Sequence, residues 1–227
     1  MSFLLYGFYT FLNLALLVWG VLEWNKHHRI SSLLITAVTF GLVYDNLILT
    51  LGAFMEAGAT LYVLSLPRFY LHQIVLPWII WASFLQIRAM GFDWAQSRLA
   101  ATAVLSLTMV IILLGVLTRI VPMDLQPIQM GGVNRYMDEA AAGPPIVSIV
   151  SIGFAGVMGV LLWRNQGWPW VFLSALLVFI TEGIPIELVR RVLGSGAEVL
   201  FIAAMLLTET RSLRSNTDRS RSIQPDS

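Results

Sequence analysis

The sequence predicts an all-α, multi-pass membrane protein with seven transmembrane helices, an outside N-terminus and an inside C-terminus. Composition is the first reason. Of the 227 residues, 57% are hydrophobic and only 12% are charged, whereas a soluble domain is about 45–50% apolar and about 25% charged. So few charges cannot cover a water-soluble globule. The second reason is that the apolar residues form stretches long enough to cross about 30 Å of hydrocarbon.

Seven such stretches follow one another along the chain. Because lipid offers no hydrogen-bond partner to a bare backbone, each is predicted to be a helix. The predicted spans are 3–22, 30–52, 68–90, 99–121, 145–163, 168–186 and 189–208. No basic residue precedes the first span and Lys26 follows it, which is typical of an uncleaved span and not of a signal peptide.

The remaining segments are predicted to be connections. Segment 53–67 is short and contains glycine, so we expect an exposed or re-entrant connection. Segment 122–144 is rich in proline, glycine and charge and is predicted to be the longest loop. Residues 1–210 would form the bundle, and 211–227 a disordered Arg/Ser-rich cytoplasmic tail.

The orientation follows from the distribution of basic residues. With the N-terminus outside, nine of the 14 lysines and arginines lie on the inner side and five on the outer side, as the positive-inside rule requires. The inner set is Lys26, Arg29, Arg88, Arg98, Arg164, Arg211, Arg214, Arg219 and Arg221, and the outer set is Arg68, Arg119, Arg135, Arg190 and Arg191. We therefore expect a multi-pass protein of the cell (plasma or inner) membrane.

Several classes of chemistry are excluded by what the sequence lacks. It contains no cysteine, so it can hold no disulfide, thiolate nucleophile or iron–sulfur cluster. A net charge of +1 indicates no nucleic-acid partner. The lone lysine, Lys26, lies between apolar segments and is poorly placed for a Schiff base. No P-loop, dinucleotide fingerprint or H-E-x-x-H motif occurs, so the sequence identifies no cofactor.

Polar residues inside the predicted spans are the functional candidates, since an unpaired charge at the membrane centre costs roughly 2.5–3.5 kcal/mol on insertion scales. Arg68 and His72 are spaced to lie on one helix face, as are Arg191, Ser195 and Glu198. We predict that spans two, three, six and seven converge on a polar chamber open to the outer side. The candidates are Asp45, Asn46, Arg68, His72, Glu182, Arg191, Ser195 and Glu198.

Each candidate has a predicted role. Asp45, His72, Glu182 and Glu198 are the candidates for acid–base catalysis, because paired titratable groups can exchange protons with a substrate. Asn46, Arg68, Arg191 and Ser195 are the candidates for ligand binding, with Arg68 and Arg191 suited to a phosphate or carboxylate head. No metal site is expected, because only one histidine lies within a span. Purely structural ion pairs, such as Asp45 with Arg68 or Glu198 with Arg191, are an equally weighted alternative.

Three functions are compatible with these residues. The first is binding of a lipid-like or amphiphilic small molecule in the chamber, in a binding, sensing or accessory role. The alternative is a membrane-embedded enzyme that modifies a lipid or isoprenoid by Asp/His/Glu chemistry. The second alternative is a proton-coupled transporter, which the scarcity of polar residues in the inner half disfavours. Membrane lipids are the expected partners, and a protein partner or homo-oligomer stays open.

Overall fold

A computed structural model describes residues 2–140 and 143–223, with side chains as far as Leu213. The chain is almost entirely helical, which confirms the all-α class apart from one small hairpin. The elements are α1 (Ser2–His27), α2 (Ile30–Leu51), α3 (Ala59–Ile74), α4 (Trp78–Ala89), α5 (Asp93–Gln96), α6 (Arg98–Gly115) with a π-helical turn (Val116–Ile120), β1 (Leu125–Met130), β2 (Val133–Asp138), α7 (Ile146–Gln166), α8 (Trp170–Glu182) and α9 (Glu187–Ile223).

The protein is membrane-embedded. Within the described residues, five helices are long and apolar enough to cross a membrane: α1, α2, α6 with its π-helical turn, α7 and α9. The pair α3 and α4 makes a sixth if it is counted as one broken span. Large apolar side chains face outward, as with Phe8 (54% exposed) and Phe11 (68% exposed) on α1. Such an apolar outer surface is compatible with contact to lipid. Helix α8 has only 13 residues, so the seventh span stays a prediction.

The third predicted span differs from the observed one. Helix α3 begins at Ala59, inside the segment expected to be a connection, and meets α4 at a bend of 42°. Pro77 explains the break, because proline has no N–H to donate and cannot continue a helix. The N–H groups of Val75 and Leu76 both donate to the carbonyl of Leu71, at 2.8 and 3.2 Å, before the helix resumes at Trp78.

The segment expected to be an irregular loop contains an antiparallel hairpin instead. Strands β1 and β2 pair from Leu125 opposite Asp138 to Met130 opposite Val133. Two glycines with positive φ, Gly131 (61°) and Gly132 (78°), form the turn. Such a Gly–Gly pair favours a tight two-residue turn between strands.

The hairpin covers one end of the bundle, which we call the hairpin end. The N–H of Asn134 donates to the carbonyl of Gly52 at 2.9 Å. The hydroxyl of Ser2 donates to the carbonyl of Gly131 at 2.6 Å, and the hydroxyl of Tyr136 donates to the carbonyl of Gly58 at 3.3 Å. The start of α1, the end of α2 and the start of α3 are thereby held at the same end.

A buried carboxylate holds the bundle together at the opposite end. Glu209 on α9 is fully buried. It accepts hydrogen bonds from Ser31 (2.8 Å), Ser32 (3.3 Å) and Gln86 (3.1 Å), and Arg29 forms a salt bridge with it at 3.5 Å. Because these partners lie on α2 or at its N-cap and on α4, Glu209 ties α9 to two other helices. Its donors satisfy the carboxylate, which indicates a structural role.

Helices α7 and α8 approach closely along a row of glycines on α7. An ideal Cβ added to Gly159 would lie 2.5 Å from the backbone nitrogen of Phe172. At Gly156 the nearest atom would be the Cβ of Ala175 at 3.3 Å, and at Gly153 the ring of Phe179 at 3.7 Å. Small residues on this helix therefore serve helix packing.

The last helix continues beyond its predicted end. The expected span ended at residue 208, whereas α9 extends as far as Ile223. Most of the predicted tail, 211–227, lies outside the residues whose side chains are described. Its disorder therefore stays a prediction.

Candidate functional site: a polar cavity at the hairpin end

A cavity of about 810 Å³ lies at the hairpin end, between the helices and the hairpin. This volume is within the range of about 300–1,000 Å³ that is usual for small-molecule sites. The structure brings seven of the eight candidate residues to its walls. They are Asp45, Arg68, His72, Glu182, Arg191, Ser195 and Glu198. Their catalytic and ligand-binding roles stay predictions.

Asp45 and Arg68 form an ion pair across α2 and α3. The Nε of Arg68 donates to the Oδ1 of Asp45 at 2.7 Å, and the two side chains are 12% and 32% exposed. This is one of the structural pairs that the sequence allowed. The pair does not use the whole guanidinium, because the Nη1 of Arg68 is buried and has no hydrogen-bond partner among the described residues.

His72 contacts a residue that the sequence did not identify as a candidate for the site. Its Nε2 lies 2.8 Å from the Oγ of Ser148 on α7. Asp45, Arg68 and Arg191 also interact electrostatically with His72. The imidazole therefore stands among charged groups and shares a hydrogen bond with a hydroxyl. Within the described part of the chain, no group of three or more His, Asp or Glu side chains is arranged to hold a metal ion.

The α8 and α9 residues contribute carboxylates to the same cavity. Glu198 interacts electrostatically with Asp45 and Glu182. An added Cβ on Gly194 would lie 3.1 Å from the Oε1 of Glu182, so glycine leaves the room that this carboxylate uses. Arg191 pairs with Glu187 at 3.2 Å, and the alternative pair of Glu198 with Arg191 is not found among the described residues.

Asn46 is the exception among the candidates, since it does not line the cavity. It is fully buried, and its Nδ2 donates to the carbonyl of Leu42 at 3.0 Å. Its side chain turns back to its own helix backbone and does not join Asp45 at the cavity wall. A ligand-binding role of Asn46 therefore stays a prediction, and its position off the cavity wall does not support it.

Arg135, on the cavity wall, was not identified from the sequence. It lies on β2, is only 3% exposed and lines the cavity. Its Nη2 donates to the hydroxyl of Tyr6 at 3.1 Å, and its guanidinium carbon lies 5.3 Å from the centre of that ring. The alternation of Val133 and Arg135 would have indicated an inward-facing arginine, but only after the segment was known to be a strand.

The fold and the cavity together define a membrane-embedded helical protein with a charged cavity under a hairpin. No model of a known protein family matches the chain, and no curated protein matches it. The chemistry of the cavity itself therefore carries the functional conclusion.

Proposed function

We propose that the protein binds a lipid-like or amphiphilic small molecule in the cavity at the hairpin end, in a binding, sensing or accessory role. The observation that carries this proposal is one cavity that combines charged and apolar walls within a membrane-embedded bundle. Leu42, Leu76, Ile152 and Val178 line it together with the charged residues. A polar headgroup would contact the charges, and an acyl or isoprenoid chain would contact the apolar side chains.

The proposed orientation places the hairpin end outside the cell membrane, with α8 as the seventh span. It is supported by the excess of basic residues in the segments at the opposite end. Because the protein has no cysteine, single-cysteine variants can test it. Glu139→Cys at the hairpin end should react with an impermeant maleimide in intact cells. Asn165→Cys should react only after permeabilisation, and the reverse pattern would contradict the orientation.

Ligand binding is tested by filling the cavity. Gly194 lines it, whereas its neighbour Leu193 is 45% exposed on the outside of α9. We expect native mass spectrometry of the protein in mild detergent to show bound 1-oleoyl lysophospholipid. Gly194→Phe should lose this binding and the matched Leu193→Phe should keep it. If the wild type does not bind 1-oleoyl lysophospholipid, or if both variants bind it equally, the proposal is wrong.

A second candidate function is supported by the contact between His72 and Ser148. A histidine at 2.8 Å from a serine hydroxyl has the geometry of a general base beside a nucleophile, and Asp45, Glu182 and Glu198 lie on the walls of the same cavity. This arrangement favours the lipid-modifying enzyme as the runner-up. Ser148→Ala should abolish turnover of a lipid pool, while Ser151→Ala, on the same helix but off the cavity, should not.

Transport has no comparable support. Polar residues in the other half of the bundle, such as Thr36 and Gln86, do not line the described cavity. Thr36 donates to the carbonyl of Ser32 on its own helix, and Gln86 is engaged by Glu209 and the carbonyl of Met205.

A further inference from the structure

Arg135 is a buried cation that the described residues orient without forming a salt bridge to it. Its inward position follows from strand alternation, because Val133 (fully buried) and Arg135 (3% exposed) face the same side of β2. Tyr6 supplies both of its known contacts, through the hydroxyl and through the ring face. A hydroxyl and an aromatic ring fix the direction of a guanidinium, but neither carries a compensating charge.

Nor does a carboxylate of the described residues compensate Arg135. Among the described side chains, none forms a salt bridge with it, and its Nε is buried without a hydrogen-bond partner. A buried charge is costly unless it is paired and hydrogen-bonded. An arginine retained at such a position, on the wall of a cavity, is suited to an anion that enters from outside the protein.

The acidic residues on the cavity wall either have other partners or lie on helices away from the hairpin. Asp45 is paired with Arg68, and Asp138 accepts hydrogen bonds from the N–H groups of residues 124 and 140 at 2.9 and 3.1 Å. Glu182 and Glu198 belong to α8 and α9, and neither pairs with Arg135 among the described contacts. They disfavour an anion on their side of the cavity and favour one beside the hairpin.

Arg68 is a second arginine on the wall of the same cavity, and its hydrogen-bonding capacity is only partly used. Its Nε is occupied by Asp45, but its Nη1 is buried without a partner in the described part of the chain. Both arginines line the cavity. Phosphate and carboxylate groups offer several acceptor oxygens at once, and guanidinium groups bind them with short, charge-assisted hydrogen bonds.

We propose that Arg135, oriented by Tyr6 and assisted by Arg68, binds an anionic phosphate or carboxylate group on the ligand's head, beside the hairpin. This inference rests on the proposed function and specifies the ligand class for it. It also reassigns the headgroup contact, since Arg191, the arginine that the sequence paired with Arg68 for this role, is paired with Glu187.

The test compares ligands that share an oleoyl chain and differ in charge. Binding of 1-oleoyl lysophosphatidate, oleate and uncharged 1-monooleoylglycerol to the full-length protein is measured by native mass spectrometry and tryptophan fluorescence, with inorganic phosphate as a competitor. The wild type should bind the two anionic ligands at least about tenfold more tightly than monooleoylglycerol, the ratio expected for a charge-assisted contact. Arg135→Gln should remove this preference and leave monooleoylglycerol binding unchanged, and Arg135→Lys should keep part of it.

Arg119→Gln is the matched control. Arg119 also lines the cavity, but its guanidinium donates to the carbonyls of Gly143 and Pro144, so the anion preference should persist. Tyr6→Phe keeps the ring and removes the orienting hydroxyl, and it should weaken anion binding severalfold even if Arg135→Gln fails to fold. An unchanged preference in a folded Arg135→Gln protein, or in Tyr6→Phe, overturns the inference.

The remaining outcomes separate the inference from the proposed function. Equal binding of anionic and uncharged oleoyl ligands by the wild type would overturn the anion subsite and leave amphiphile binding intact. Binding of none of the oleoyl ligands would overturn both. Inorganic phosphate that competes as strongly as lysophosphatidate would support the anion subsite but assign it to a free anion, against amphiphile binding.

Discussion

Replacing Gly159 by alanine should push α7 and α8 apart. The added Cβ would lie 2.5 Å from the nitrogen, 2.9 Å from the Cα of Phe172 and 3.0 Å from the carbonyl carbon of Val171. Carbon atoms in contact are normally about 3.5–4.0 Å apart, so the helices must separate by roughly 1 Å. The atoms that it meets belong to the backbone and cannot rotate away.

The magnitude follows from a comparison along the same helix. Alanine gains up to about 1 kcal/mol over glycine in helix propensity at any of these positions. At Gly153 the Cβ meets a ring at 3.7 Å, an ordinary contact, so Gly153→Ala should leave the free energy of unfolding unchanged or slightly raised. The difference in the free energy of unfolding between these two variants isolates the steric cost. Gly159→Ala should be less stable than Gly153→Ala by about 1–3 kcal/mol. Gly156→Ala, with a contact at 3.3 Å, should fall between them.

The measurement is reversible unfolding in mixed micelles as the fraction of sodium dodecyl sulfate is raised, followed by tryptophan fluorescence. The expected order of stability is Gly153→Ala, then Gly156→Ala, then Gly159→Ala. If Gly159→Ala is as stable as Gly153→Ala within about 0.5 kcal/mol, the inference that α7 and α8 contact each other closely at Gly159 is wrong.

Three further predictions use the same unfolding titration or a local probe. Glu209→Ala should cost about 3–5 kcal/mol because it leaves buried donors without an acceptor, whereas Glu209→Gln, which keeps one acceptor oxygen, should cost less; a loss under about 1 kcal/mol in Glu209→Ala would mean that these hydrogen bonds contribute little. Asp45→Ala leaves Arg68, which is only 12% exposed, without its carboxylate and should cost about 1–3 kcal/mol, while Glu187→Ala, which breaks a pair whose arginine is 43% exposed, should cost under about 1 kcal/mol; similar costs for the two would contradict the difference in arginine burial. Gly52→Ala should loosen the hairpin, because its Cβ would overlap a hairpin carbonyl, and hydrogen exchange over 125–138 should rise; Gly58→Ala has open space at its Cβ and should leave that exchange unchanged.

The membrane class and much of the cavity could be predicted from the sequence, because the first depends on the length of apolar stretches and the second on helical periodicity. Apolar stretches of about 20 residues identify spans by length alone. Arg191, Ser195 and Glu198 recur at helical steps, so they reach one face of α9 whatever surrounds it. Asn46 shows the limit of this reasoning, because it is buried away from the cavity wall and donates to the carbonyl of Leu42 on its own helix.

The hairpin and its arginine could not be predicted in the same way. Gly131 and Gly132 are a recognisable turn signal, but the flanking strands are short and polar enough to be taken for a loop. The contact of Arg135 with Tyr6 joins residues 129 positions apart, and no local pattern specifies such a pairing. The third span was also misplaced, since α3 draws its first turns from a segment too short to be a span alone and ends near Pro77.

The bond between Ser2 and Gly131 constrains the order in which the protein can mature. The two residues are 129 positions apart, so at a synthesis rate of roughly 5–20 residues per second the first helix waits about 6 to 26 s for its partner. During that interval α1 and α2 are already made while nothing yet closes their shared end. If the protein binds the amphiphile proposed above, a molecule that enters before the turn docks would be enclosed as the hairpin closes, and loading during synthesis would then follow a different route from loading of the finished protein.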